Sequence, residues 1–220
     1  MILSLLKKEL LLIGRGLHGI LSMFVLSFTL LFLFHFSFEK DSSLTILPLI
    51  GIKWSILFIT SYVLIGQSTW EERESGAGLI VQLSIPNWMI FLVKSIVVWF
   101  FLIFVLGLVC LGMNLMFSNF STIGLFNHII FLIPGSLSLS FLGVSLGSIA
   151  ASTRMKEVIL PLLLIPFSIP IFLFGLKSEF RYIGDAMSLN QSLILMIFFC
   201  FFYGGLGALF QELQSENVDG

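Results

Sequence analysis

Six long apolar runs, at roughly 17–38, 46–69, 90–117, 128–151, 158–176 and 190–210, are separated along the chain by short polar stretches. Each is close to the about 20 residues that a helix needs to cross the hydrocarbon core of a bilayer. None shows the alternation, over about ten residues per strand, that marks a membrane barrel. Lipid offers no partner to free backbone N–H and C=O groups, so the runs are predicted as helices. The expected fold class is an all-α integral membrane protein with six transmembrane helices. No internal repeat and no Gly/Ser-rich or Pro-rich linker divides residues 1–220, which are expected to form a single polytopic domain. The first run follows Lys7, Lys8 and Arg15, as in a signal peptide. It is longer than the usual apolar region of one, and Phe38-Glu39-Lys40-Asp41 offers no small-residue cleavage site, so it is expected to remain as an anchor.

Polar positions refine this pattern in four places. Ahead of the first run, Ser4, Lys8 and Arg15 fall near one helical face with leucines opposite. That arrangement predicts a short helix lying in the membrane interface, with Gly14 and Gly16 as a hinge into the first span. Between the second and third runs, residues 71–86 are acidic first, glycine-rich next and then amphipathic. Leu79 and Leu83, four apart, share one side of a helix, and Gly76 and Gly78 allow the chain to turn into it. Such a segment suits a membrane subunit that receives mechanical work from a soluble partner; the alternative is an ordinary solvated loop. In the fifth run Pro161, Pro166 and Pro170 each delete a backbone donor, so a bent or broken helix is expected there. Gly143 and Gly147 in the fourth run form a small-residue face for close helix packing.

Composition agrees with a lipid environment. Hydrophobic residues make up 58% of the chain and charged ones 10%, with a mean hydropathy of +1.10; a soluble domain carries about 25% charged residues. The net charge of -1, without a basic stripe, argues against a nucleic-acid partner. Cys110 and Cys200 lie inside apolar runs and form no metal or disulfide pattern. Cytoplasmic loops carry the Lys/Arg excess. An inside N-terminus places Lys7, Lys8, Arg15, Arg73, Lys94, Arg154 and Lys156 in the cytoplasm, and leaves Lys40, Lys177 and Arg181 outside. With six spans the C-terminus is then also cytoplasmic. Ser43, Asn119 and Ser178 are expected outside, and Ser84, Thr153 and Ser215 inside. Trp54 is expected at the outer headgroup level, and Trp70 and Trp88 at the inner one.

Candidate chemistry is sparse. Lys53 is the one ionisable residue assigned to the interior of a span, and its position near the outer end predicts that it snorkels to the interface. His35 and His128 fall near the outer boundary, where anchoring at the headgroups is a simpler role than ligation of haem iron. No G-x-x-x-x-G-K-[S/T] motif is present, so ATP would be hydrolysed on another chain. No catalytic or metal-ligating residues are assigned. An intramembrane enzyme or small-ion carrier is disfavoured by the lack of buried acids and histidines.

The spacing Glu72-x-Glu74-x-Gly76-x-x-Leu79-x-x-x-Leu83-x-x-Pro86, followed by Lys94, resembles the inner loop of ABC-2-type exporter permeases, where it forms a cytoplasmic coupling helix. Downstream, Gly143-x-x-x-Gly147, Arg154-x-Lys156-Glu157, the run from Leu160 through Pro161 and Pro166 to Pro170, and then Gly175 resemble the CcmB family, the haem exporter protein B of cytochrome c maturation. Lys8-Glu9-Leu10 agrees, and the similarity covers nearly the whole chain. The resemblance implies an ABC transporter permease subunit of the bacterial inner membrane that is not itself an enzyme. It implies a separate CcmA-type ATP-binding subunit docked on Glu72, Glu74, Gly76, Leu79, Leu83 and Pro86, with a second contact at Arg154, Lys156 and Glu157. Other cytochrome c maturation membrane proteins and a periplasmic haem chaperone are further implied partners. ATP hydrolysis would drive chaperone release or transport; the complex uses ATP and handles haem, while no cofactor is expected on this chain. Gly78-Leu79-Ile80 departs from relatives that carry an acid after the leucine, so an ion pair there is not carried over. The chain also has no tryptophan-rich haem-binding segment. The alternative is a general ABC-2-type exporter permease for a lipid, drug or glycan, which would share the loop but not need the proline run.

Overall fold

The computed structural model describes residues 2–15, 17–38, 45–75, 85–117, 120, 124–151, 156–184 and 188–216, with side chains except at 2–4, 12–15, 17–19, 69–75, 151, 156–158 and 214–216. The chain forms helices α1 (Ile2–Arg15), α2 (Leu17–Phe38), α3 (Ile46–Ser75), α4 (Asn87–Met116), α5 (Leu125–Ala151), α6 (Lys156–Ile183) and α7 (Leu189–Glu216). The last six each contain a stretch long and apolar enough to cross a membrane. The protein is thus an all-helical, multi-pass membrane protein of the expected class. Three helices run well past the C-terminal ends of their apolar runs: α3 to Ser75, α6 to Ile183 and α7 to Glu216. Helix geometry tolerates charged residues beyond the hydrocarbon edge, so hydropathy underestimates all three.

Helix α1 is amphipathic. Leu5 and Glu9, one turn apart, are buried and Leu6 and Leu10 touch the core, while Lys7 and Leu11 are exposed. Its apolar side rests mainly on α4. Glu9 falls on the buried side and pairs with Lys8 at 3.2 Å.

Helix α5 is the most enclosed and packs on α3, α4, α6 and α7; α2, α6 and α7 are peripheral. Their outward faces carry exposed residues such as Phe201, Phe198, Leu162 and Leu33. Lipid tails cover these at no hydrophobic cost, so association rests on close packing and interhelical hydrogen bonds. Gly143, in the small-residue face of α5, is filled by the side chain of Ile65 from α3, and Gly207 of α7 by Phe91 of α4. Ser27 and Thr60 share a 2.8 Å hydrogen bond between α2 and α3. Trp99 Nε1 donates from α4 to Ser136 Oγ of α5 at 3.1 Å.

The proline-spaced segment does not break: α6 stays helical through Pro161, Pro166 and Pro170. The next helix contributes a donor at this weak stretch, where Tyr203 Oη of α7 donates to the Phe167 carbonyl at 2.8 Å. Ser178, expected outside, is buried within α6; the five other residues expected to mark the two sides lie outside the described side chains. Lys94, assigned to the cytoplasmic side, is buried two turns into α4.

Trp54 is wedged between α5 and α6. A Cβ at Gly135 would come 2.7 Å from its Cη2, and one at Gly175 would run into the same ring edge, whereas a Cβ at Gly107 meets nothing. The indole is rigid and hydrogen-bonded, so it cannot yield as a flexible chain end would. Gly175→Ala is expected to cost about 1–3 kcal/mol, the range for overpacking, while Gly107→Ala leaves stability unchanged or raises it. Melting temperatures of the two purified variants in one detergent check this contrast.

Candidate functional site

The hydrogen-bonding ends of three helices converge on one carboxylate. Lys53 and Trp54 stand at successive positions in the second and third turns of α3, His128 in the first turn of α5, and Glu179 one turn before the end of α6. All four are buried to 0% or close to it. Successive residues of a helix point about 100° apart, so Lys53 and Trp54 approach Glu179 from two directions. Gly175, one turn before Glu179, leaves the space in which the indole lies.

Glu179 Oε1 accepts a charge-assisted hydrogen bond from Lys53 Nζ and faces His128 Nδ1 at 3.0 Å. Its Oε2 accepts from Trp54 Nε1 at 2.7 Å. Lys53 Nζ also donates to the His128 carbonyl at 3.2 Å. The second ring nitrogen of His128, Nε2, lies 3.3 Å from the Phe120 carbonyl, and the Phe120 ring stacks on the imidazole with centroids 3.6 Å apart. Both charges of the Lys53–Glu179 pair are therefore matched and both carboxylate oxygens occupied, which is the condition for an ion pair to persist away from water. The arrangement is a closed receptor for a carboxylate that the protein itself fills. It is not a metal centre: an ammonium group sits at its middle, and among the described residues no group of three His, Cys, Asp or Glu is placed to hold a metal ion.

These contacts correct four expectations. Lys53 does not snorkel, because its counter-ion lies inside the bundle. Trp54 is a core residue and not a headgroup anchor. His128 is likewise internal, and with both ring nitrogens facing oxygen atoms neither is open to haem iron. A buried acid does exist, so the lack of one no longer weighs against ion-carrier chemistry. Glu179 went unseen because Lys177, Glu179 and Arg181 together resemble a solvated flank. Helical phase separates them: Lys177 and Arg181 are exposed, whereas Glu179 shares the inward side with Gly175. A lysine assigned to a span calls for a partner of opposite charge, and that requirement was the available signal. His35 sits in an aromatic setting, edge-on to Phe117 at 5.3 Å.

The expected docking residues are placed only in part. Glu72 and Glu74 belong to the last turns of α3, and Lys156 and Glu157 open α6, with their side chains outside the description. Pro86 is the N-cap of α4, and its carbonyl accepts from Met89 N at 3.0 Å. Gly76, Leu79, Leu83 and Arg154 lie outside the described residues. Pro161, Pro166 and Pro170 lie within α6, between its Lys156 end and Glu179.

Removing one partner of a buried ion pair strands the other, at about 3–5 kcal/mol, whereas replacing both by apolar residues of similar volume is often neutral. Glu179→Ala is accordingly expected to unfold at a much lower temperature than the parent protein. Glu179→Met combined with Lys53→Met is expected to recover most of the loss. Thermal unfolding of the purified variants in detergent checks both.

None of the curated proteins matches the chain in a sequence search. The family model described as CcmB protein matches residues 1–203 of the 220. That match spans every helix that meets at Glu179 and both candidate docking segments. The chain belongs to the CcmB family of haem-exporter membrane subunits.

Proposed function

We infer that this protein is the permease subunit through which a separate CcmA-type ATPase acts on haem delivery for c-type cytochromes. The match to the CcmB family over residues 1–203 carries this reading. In it, ATP hydrolysis on the partner is coupled to release or loading of a periplasmic haem chaperone, and this chain holds no catalytic group or cofactor of its own. The protein lies in the bacterial inner membrane with both termini in the cytoplasm, in keeping with the Lys/Arg bias.

Helix α3 supports the coupling role. At 30 residues it is about 45 Å long, against about 30 Å for the hydrocarbon core. It therefore leaves the membrane as a continuous rod whose last turns carry Glu71, Glu72 and Glu74. The segment that follows, with Leu79 and Leu83 on one side, fits a groove on a soluble partner. Lys156 and Glu157 at the start of α6 supply a second contact from the adjoining loop. Force applied there reaches α3 and α6 directly, the two helices that carry Lys53 and Glu179, and the proline run gives α6 the means to bend.

Leu79→Asp with Leu83→Asp would place unpaired charge in the interface and cost association several kcal/mol, about 2–4. The variant is expected to insert normally but lose co-purification of the ATPase, with cytochrome c maturation lost in parallel. Full recovery of the ATPase with the double variant would refute the docking assignment.

A further inference from the structure

The buried cluster joins α3, α5 and α6 at the end of the bundle opposite the docking segments. Stability alone does not account for it, since apolar residues of the same volume would pack as well. An ion pair differs from an apolar contact in what happens when it parts: separated charges are rescued by water, whereas separated apolar surfaces are penalised by it. A contact of this kind has two tolerable states, paired and dry or parted and wet.

Its surroundings fit a contact that opens. Trp54 lies against Gly135 of α5 and Gly175 of α6, where no Cβ stands between the indole edge and either backbone. Among the described residues of the α4–α5 connection, Phe120 covers His128 through its stacked ring and its carbonyl. Lys53 and Trp54 ride on the same uninterrupted helix as the acidic segment at its far end. From Lys53 to Ser75 the rod is about 33 Å long, so a shift or rotation at one end is felt at the other.

We propose that Lys53, Trp54, His128 and Glu179 form a latch that holds the outer end of the bundle closed, and that movement of α3 against α5 and α6 breaks it and lets water reach the charges. This goes beyond the permease role and does not depend on which molecule is handled. Ser178, buried beside Glu179, is a reporter of the open state. Ser178→Cys in the full chain, with Cys110 and Cys200 replaced by Ala, is treated with a membrane-impermeant maleimide on right-side-out and on inverted vesicles. Slow labelling is expected, from one side only; the side reports the orientation and the rate reports the latch.

Adding Glu179→Gln, which keeps the shape but strands Lys53, is expected to speed labelling by at least about tenfold. Trp54→Phe removes one donor while keeping a ring in the glycine slot, and is expected to speed it severalfold even if the Glu179 variant does not accumulate. Lys53→Met with Glu179→Met strands no charge but also takes the acceptor from Trp54 and His128, and is expected to label more slowly than Glu179→Gln. The latch is overturned if Trp54→Phe and any accumulating Glu179→Gln protein label at the parent's rate, or if the double Met variant labels faster than Glu179→Gln.

Discussion

An ammonium group inside a bilayer must find a carboxylate, because lipid will not hydrate it. That requirement, set by Lys53, organises one end of this protein. It fixes the rotation of α6 so that Glu179 points inward while Lys177 and Arg181 point away. It places His128 and the α4–α5 connection over the pair through Phe120. It also explains why α5 and α6 carry glycine at 135 and 175: a side chain at either would displace the indole whose N–H completes the carboxylate's shell.

Among the described residues, much of the remaining bundle is joined by uncharged contacts. Single side chains fill glycine holes, and serine or threonine hydroxyls bridge neighbouring helices. Interhelical hydrogen bonds of this kind are individually worth only about 0.6 kcal/mol on average. The peripheral helices α2, α6 and α7 pack around this framework, α6 and α7 directly on the central α5. The difference in character between the ends follows: one is closed by a single enclosed ionic contact, the other extends into a long helical rod and the segments where a partner would bind.

Span number, fold class and the amphipathic helix α1 were legible in the sequence because each rests on a local quantity: the length of an apolar run, or the phase of polar residues in Ile2–Arg15. The continuation of α3 to Ser75 was not, since charged residues past the hydrocarbon edge read as loop while remaining helical. The ionic cluster was invisible for a different reason. Lys53 and Glu179 are 126 positions apart, and only the packing of α3 against α6 turns two apparent interface residues into a pair. The proline run was legible as a weak stretch of helix, but the partner that steadies it, Tyr203 of α7, was not.

The family resemblance also acquires a physical content that motif matching did not supply. Gly175 closes the proline-spaced pattern in the sequence, and in the fold it is the floor of the Trp54 slot one turn from Glu179. The prolines lie between that slot and the end of α6 nearest the docking segments. A helix that is weak in the middle and pinned at one end by an ionic contact bends where its donors are missing. Helix α3, which carries no proline after Pro48, is continuous from Ile46 to Ser75 and offers no such weak point. Under the proposed coupling, a push on both helices from the same side would therefore displace their far ends unequally, and the contact that would absorb the difference is the one between Lys53, Trp54 and Glu179.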